Sequence, residues 1–136
     1  MKFDTKIAIA VQESLAGWQQ LNVTAFLASA VAAGAPDVIG EPYEDGSGNR
    51  YLAMFRQPVL VYAADGLSLA RVRSLAVGRE LATAVYIEEM FKTGHDEANR
   101  EVVRAVTADE MPLVGVAVYG PRNAVDKVFK GLQLHP

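Results

Sequence analysis

Leu113-Val-Gly-Val-Ala-Val-Tyr-Gly-Pro-Arg-Asn-Ala-Val-Asp-Lys-Val-Phe-Lys-Gly-Leu-Gln-Leu-His-Pro136 is the stretch whose reading decides the fold. A Val-rich apolar run ends at Tyr119, Gly120 supplies a tight turn, Pro121 opens a helix, and Gly131 closes it after Phe129. Proline at the first helical position and glycine past the last is the usual order of helix punctuation. The segment therefore reads as a buried strand feeding a short helix. The helix start at Gly120, Pro121 and Arg122 offers backbone N–H groups and a guanidinium, a pattern suited to a small anion.

Working outward, Lys6-Ile-Ala-Ile-Ala-Val11 is short, apolar and β-branched at alternate places, and reads as the first strand. Gln12 to Gln20 is expected as a loop holding Gly17 and Trp18. Val23, Phe26, Leu27, Ala30 and Val31 then share one helical face, and Gly34 and Pro36 end that helix. Its other face is almost all small, so the helix is expected to be nearly buried. Tyr43 to Tyr51 has turn residues flanked by aromatics and reads as an exposed hairpin.

Val59 to Ala63 is the second strand. Asp65 or Ser68 caps a helix running to about Leu81, with Leu69, Val72, Leu75 and Ala76 as its apolar face. Thr83 to Ile87 is the third strand, Asp96 to Val106 a polar helix, and Leu113 to Tyr119 the fourth strand. Alternation of strands and helices predicts a single α/β domain over residues 1–136, with three α/β/α layers around a small, mixed but mainly parallel sheet of about four strands. The expected core is Ile7, Ile9, Val11, Phe26, Leu27, Val59, Val61, Leu69, Val72, Val85, Val114, Val116 and Val118.

Composition narrows the function. A net charge of −3 weighs against broad nucleic-acid binding. Cysteine is absent, which removes disulfides, thiolate-held metals and thiol chemistry. The run Ile7 to Val11 is too short for a signal peptide or membrane span, so a cytoplasmic protein without a membrane partner is expected. His95 and His135 lack metal-site spacing, and no metal is expected. Asp45-Gly-Ser-Gly lacks the ending of a P-loop, no dinucleotide fingerprint follows the first strand, and no cofactor is expected. Abundant small and apolar surface points to a homo-oligomer, most simply a dimer.

Val118-Tyr-Gly-Pro-Arg-Asn-Ala-Val-Asp-Lys127, preceded by Leu113-Val-Gly-Val-Ala117, resembles the C-terminal signature of an uncharacterised bacterial family, the domain of unknown function number two thousand. The opening Lys6-Ile-Ala-Ile-Ala-Val11, the Asn22-Val-Thr-Ala helix and the Asp45-Gly turn are similar too, so the likeness covers nearly the whole chain. That family is grouped with the fold of the second type of peptidyl-tRNA hydrolase. In those enzymes a Gly-Pro segment also follows the last strand and opens a helix containing Asp-Lys. The resemblance implies their fold but transfers their chemistry poorly. They place lysines between the first strand and first helix, whereas this chain has no lysine between Lys6 and Lys92 and puts Glu13 in that loop. They place an aspartate just after the third strand, where this chain has Glu88 and Glu89.

Two functions follow as expectations. In one, a small anionic ligand binds at Gly120, Pro121 and Arg122. In the other, a divergent hydrolase uses Glu88 or Glu89 as acid or base on an ester or amide bond. Adjacent residues on an extended chain point to opposite faces, so only one of those carboxylates can enter a given pocket. Solvated surface carboxylates and an ion-paired Arg122 are the plain alternatives.

Overall fold

The computed structural model describes residues 2–136. Five strands make the main sheet in the order β5-β6-β1-β4-β7. They are β1 (Thr5–Gln12), β4 (Val59–Ala64), β5 (Ala82–Ile87), β6 (Leu113–Pro121) and β7 (Gln133–Leu134). The short strands β2 (Tyr43–Glu44) and β3 (Arg50–Tyr51) form a separate hairpin. Helix α1 (Gly17–Gly34) covers one face of the sheet; α2 (Gly66–Gly78) and α4 (Arg122–Val128) cover the other. A shorter helix, α3 (Asp96–Arg104), follows a 3-10 turn over Glu88–Lys92.

Alternation along the strands divides the core in two. Ile7, Ile9 and Val11 of β1 meet Val23, Leu27 and Val31 of α1, while Ala8 and Ala10 face Leu69, Val72 and Ala76 of α2. Each fully buried Ile or Leu contributes about 1.5–3 kcal/mol. Gly115 belongs to the α1 side, where an added Cβ would lie 2.5 Å from Val23 Cγ1. That close approach of helix to strand is possible only without a side chain.

The expectation of a mainly parallel sheet is corrected. Among the described strands only β1 and β4 pair in parallel; β6 is antiparallel to both β1 and β5, and β7 to β4. A parallel return requires a crossover that spans the sheet. The segment between β5 and β6 does not make one: α3 contacts the Glu88–Lys92 turn, and the chain re-enters beside β5 in the opposite sense. The fifth strand, β7, was too short to register as a strand in the sequence. Helix α1 begins at Gly17, inside the expected loop, because Gln19 Oε1 accepts the Ala16 N–H and holds the first turn. Phe26 is not core but 48 % exposed, and Leu75 and the three residues Val59, Val61 and Val85 are only partly covered.

Lys6 ties α4 to the sheet. Its Nζ lies 2.6 Å from Asp126 Oδ1 and donates to Tyr62 Oη at 2.9 Å. Burial alone would lower the pKa of Lys6, but the hydrogen bonds to Asp126 and Tyr62 outweigh it and the value is raised. A raised lysine stabilises the fold fully below its unfolded pKa, about 10.4, and loses that contribution as pH rises through the folded value. Lys6→Met is therefore expected to lower the urea midpoint at neutral pH, with the gap to the wild type closing as pH rises beyond the ordinary lysine range. A gap that persists unchanged there would assign the loss to packing instead.

No helix among the described residues is long and apolar enough to cross a membrane. Among the same residues, no group of His, Asp or Glu is arranged to hold a metal ion.

Candidate functional site

Antiparallel β6 separates the two sets of residues that the sequence singled out. Gly120 is not the expected turn but a strand residue: pairing of Lys6 with Gly120 and Thr5 with Pro121 sets the end of β6 at the start of β1, whereas pairing of Ile87 with Leu113 puts Glu88 near the end of β1. The length of β6 between them is roughly 25 Å. Glu88 and Glu89 cannot act on a ligand held at Arg122.

At the Gly120 end two of the donors of Arg122 are engaged within the chain. The Arg122 N–H donates to the Asp4 carbonyl at 2.8 Å, and its Nε donates to the Phe3 carbonyl at 2.9 Å. These bonds secure the N-terminal segment. Gly120 is buried, and a Cβ there would meet Leu81 Cδ2 at 2.8 Å, so its lack of a side chain accommodates Leu81. Pro121 ends β6 on the surface.

At the other end Glu88 and Glu89 are both exposed on the 3-10 turn. Glu88 lines an open cleft of ≈ 440 Å³ with Gln12, Ser14, Gln19 and Gly66 among its walls; Glu89 does not. Gln12 Nε2 donates to Ser14 Oγ at 3.1 Å. Beside it, Glu13 and Asp65 line a second polar cleft with Gln20 and His135, whose Nε2 is 2.9 Å from Gln20 Oε1. The α2 N-terminus is already served by Asp65, which accepts the Ser68 N–H at 2.8 Å and whose pKa is lowered by that bond. This strand edge therefore presents carboxylates.

A third cleft, with an apolar floor, lies between α1 and α3 above the sheet-edge strand β5. Its floor is Phe26, Leu27, Ala30, Val85 and Met90; Asp96, Asn99, Arg100, Val103 and Arg104 of α3 form the opposite wall, and the volume is ≈ 460 Å³. A neighbouring pocket of ≈ 330 Å³ shares Phe26, Tyr86, Met90, Asp96 and Asn99 and adds Trp18, Asn22, Phe91 and His95. The two are continuous. Four aromatic rings line the junction in sequence: Phe26 to Tyr86 at 5.6 Å, Tyr86 to Phe91 at 5.3 Å, and Phe91 to Trp18 at 6.0 Å. The first and last of these contacts are edge-to-face, the geometry favoured by aromatic quadrupoles, and the middle one is tilted.

Polar groups at this cleft are few and fixed. Asn22 Nδ2 donates to Tyr86 Oη at 3.4 Å, and burial pushes the Tyr86 phenol up, keeping it a neutral hydroxyl. His95 Nδ1 accepts the Ala98 N–H at 3.2 Å and caps α3. Asn99 Oδ1 accepts from Thr93 Oγ1, leaving the Asn99 amide nitrogen as a donor. Arg100 pairs with Asp96 one turn earlier, whereas Arg104 makes no ion pair among the described residues. An apolar floor with a few convergent polar groups is the usual anatomy of a small-molecule site.

Sequence reasoning missed this cleft. Trp18, expected in a loop, lies on helix α1 and forms part of the wall, and Phe26, expected in the core, lines the floor. One signal was available. Arg100 and Arg104 are one helical turn apart on α3 and share the face that also bears Val103.

The family model described as "Protein of unknown function (DUF2000)" matches residues 5–136. The chain belongs to the DUF2000 family. A solved structure of a protein of unknown function from Agrobacterium tumefaciens strain C58 is 47% identical, with a TM-score of 0.96 over 99% of this chain and 100% of that one. No curated protein matches the chain. The two proteins share one α/β architecture, and what this chain binds must be argued from its own sites.

Proposed function

We propose that this protein binds small amphipathic anions in the cleft between α1 and α3, without chemical turnover of the ligand. The observation that carries this reading is the combination, in one open cleft of ≈ 460 Å³, of an apolar floor with Arg100 and Arg104 on its wall. The ligand's apolar body rests on Phe26, Ala30, Val85 and Met90. Its carboxylate or phosphate meets Arg104, whose planar fork matches such groups bidentately. Asp96 holds Arg100 as a positioned second cation and disfavours a ligand carrying more than one negative charge. The expected result of a thermal-shift panel is that octanoate raises Tm and octanol of equal chain length raises it less. Equal shifts, or none from either, would contradict the reading.

We also read the fold as that of the second type of peptidyl-tRNA hydrolase. Gly120 and Pro121 end the last long strand and lead into a helix containing Asp126 and Lys127, which supports this likeness.

One observation favours a second function. Glu88 shares a cleft with the Ser14 hydroxyl, a carboxylate and a hydroxyl positioned together as a divergent hydrolase of esters or amides would need them. No lysine or arginine lines that cleft. Peptidyl-tRNA, a polyanion, requires several cationic contacts near the chemistry. Purified protein is therefore expected to leave peptidyl-tRNA intact at physiological salt. Turnover that disappears in Glu88→Gln would favour the hydrolase over the binding protein.

A further inference from the structure

Helix α1 contains no charged residue, and the uncharged stretch extends from Ser14 to Pro36. Yet α1 is a surface helix. Trp18 is 65 % and Leu21 74 % exposed, and Ala25, Ser29 and Ala33 continue the open side. Among the described residues of α1, those on the buried side are Val23, Leu27 and Val31. An uncharged helix side with large apolar side chains open to water is a surface that marks a partner.

A second apolar surface lies in the same layer. The segment Asp37–Gln57 packs through Val38, Ile39 and Phe55 into the α1-side core, and it projects the β2–β3 hairpin. Its tip is held firmly. Asp45 accepts the Ser47 and Asn49 N–H groups and the Tyr51 hydroxyl, at 2.7 to 3.0 Å, and these bonds, Tyr51 foremost, hold its carboxyl well below the usual carboxylate range. On this stiff arm Tyr43 and Tyr51 are half exposed, Met54 more so, and Leu52 is 89 % exposed.

We infer that the outer face of α1 and this arm together dock a second copy of the chain, forming a homodimer. Area supports that occupant. Trp18, Tyr43 and Tyr51 present on the order of 350 Å². With Leu21, Leu52, Met54 and the small residues of α1, the surface reaches about 800 Å², what each partner contributes to a stable dimer. Charge supports it too. The α1 face offers nothing to a nucleic acid or an acidic peptide, and lacks the lysines and arginines by which amphipathic helices hold a lipid surface. Interfaces between identical chains are the apolar class. Ala25 and Ser29 let two such helices approach closely about a two-fold axis.

Sedimentation equilibrium at micromolar concentration tests this. The wild type is expected to have twice the chain mass. Leu21→Glu and Leu52→Glu should each weaken association by roughly a hundredfold or more, because each buries an unpaired carboxylate. Both positions are exposed in the single chain, so circular dichroism should be unchanged. Leu67→Glu, on α2 across the sheet, should remain dimeric. A monomeric wild type overturns the inference, including one that pairs only with a different protein. So does a dimer that survives both substitutions, or one that only Leu67→Glu disrupts.

Discussion

Gly115→Val is expected to cost about 3 kcal/mol of stability, the upper part of the range for overpacking a filled core. The added Cβ alone would stand 2.5 Å from Val23 Cγ1 and 2.9 Å from Leu27 Cδ1, with the Ala10 carbonyl at 3.5 Å. Valine suits a strand better than glycine, a preference of up to about 1 kcal/mol. That gain wins only if α1 can lift. It cannot lift freely, since Val23 and Leu27 are buried against β1 and β6 along the same contact. In urea unfolding the midpoint should fall, with Tm lower by roughly 10 °C. An unchanged midpoint would mean that the α1–sheet spacing is wrong.

The second large effect concerns ligand binding. Ala30 sits on the floor of the α1–α3 cleft and is itself exposed, so a larger side chain there enters the cleft and not the core. Ala30→Trp should abolish octanoate binding while leaving the unfolding midpoint nearly unchanged. Arg104→Ala removes the charged contact but keeps the apolar floor. A hydrogen bond to a charged group contributes about 1.5–3 kcal/mol, so octanoate affinity should fall by roughly ten- to a hundredfold. Affinity for octanol should stay the same. Calorimetric titration separates these outcomes; equal losses for acid and alcohol would assign Arg104 a packing role.

Element positions were legible in the sequence where the periodicity was strong. Ile7, Ile9 and Val11 alternate as a strand with one face on a helix, and Val23, Leu27 and Val31 keep helical spacing. Strand direction was not legible, because Leu113 to Tyr119 is apolar throughout and reads alike in either sense. That one ambiguity decided the site. A parallel β6 would have brought Gly120 and Arg122 to the edge where Glu88 lies; the antiparallel strand takes them to opposite ends. The cleft was hidden for a different reason. Phe26 falls within the apolar arc of α1 by spacing, but it lies at the arc's margin, past the edge strand β5. Periodicity assigns a face to a residue and says nothing of whether the sheet extends far enough to cover it.

The central claim is that the α1–α3 cleft is the ligand site, and titrating nitrogen-15-labelled protein with octanoate by NMR tests it most directly. Saturable amide shifts centred on Ala30, Tyr86, Asn99, Val103 and Arg104 are predicted. No shifts, or shifts gathered instead on Ser14, Gly66 and Glu88, would contradict it.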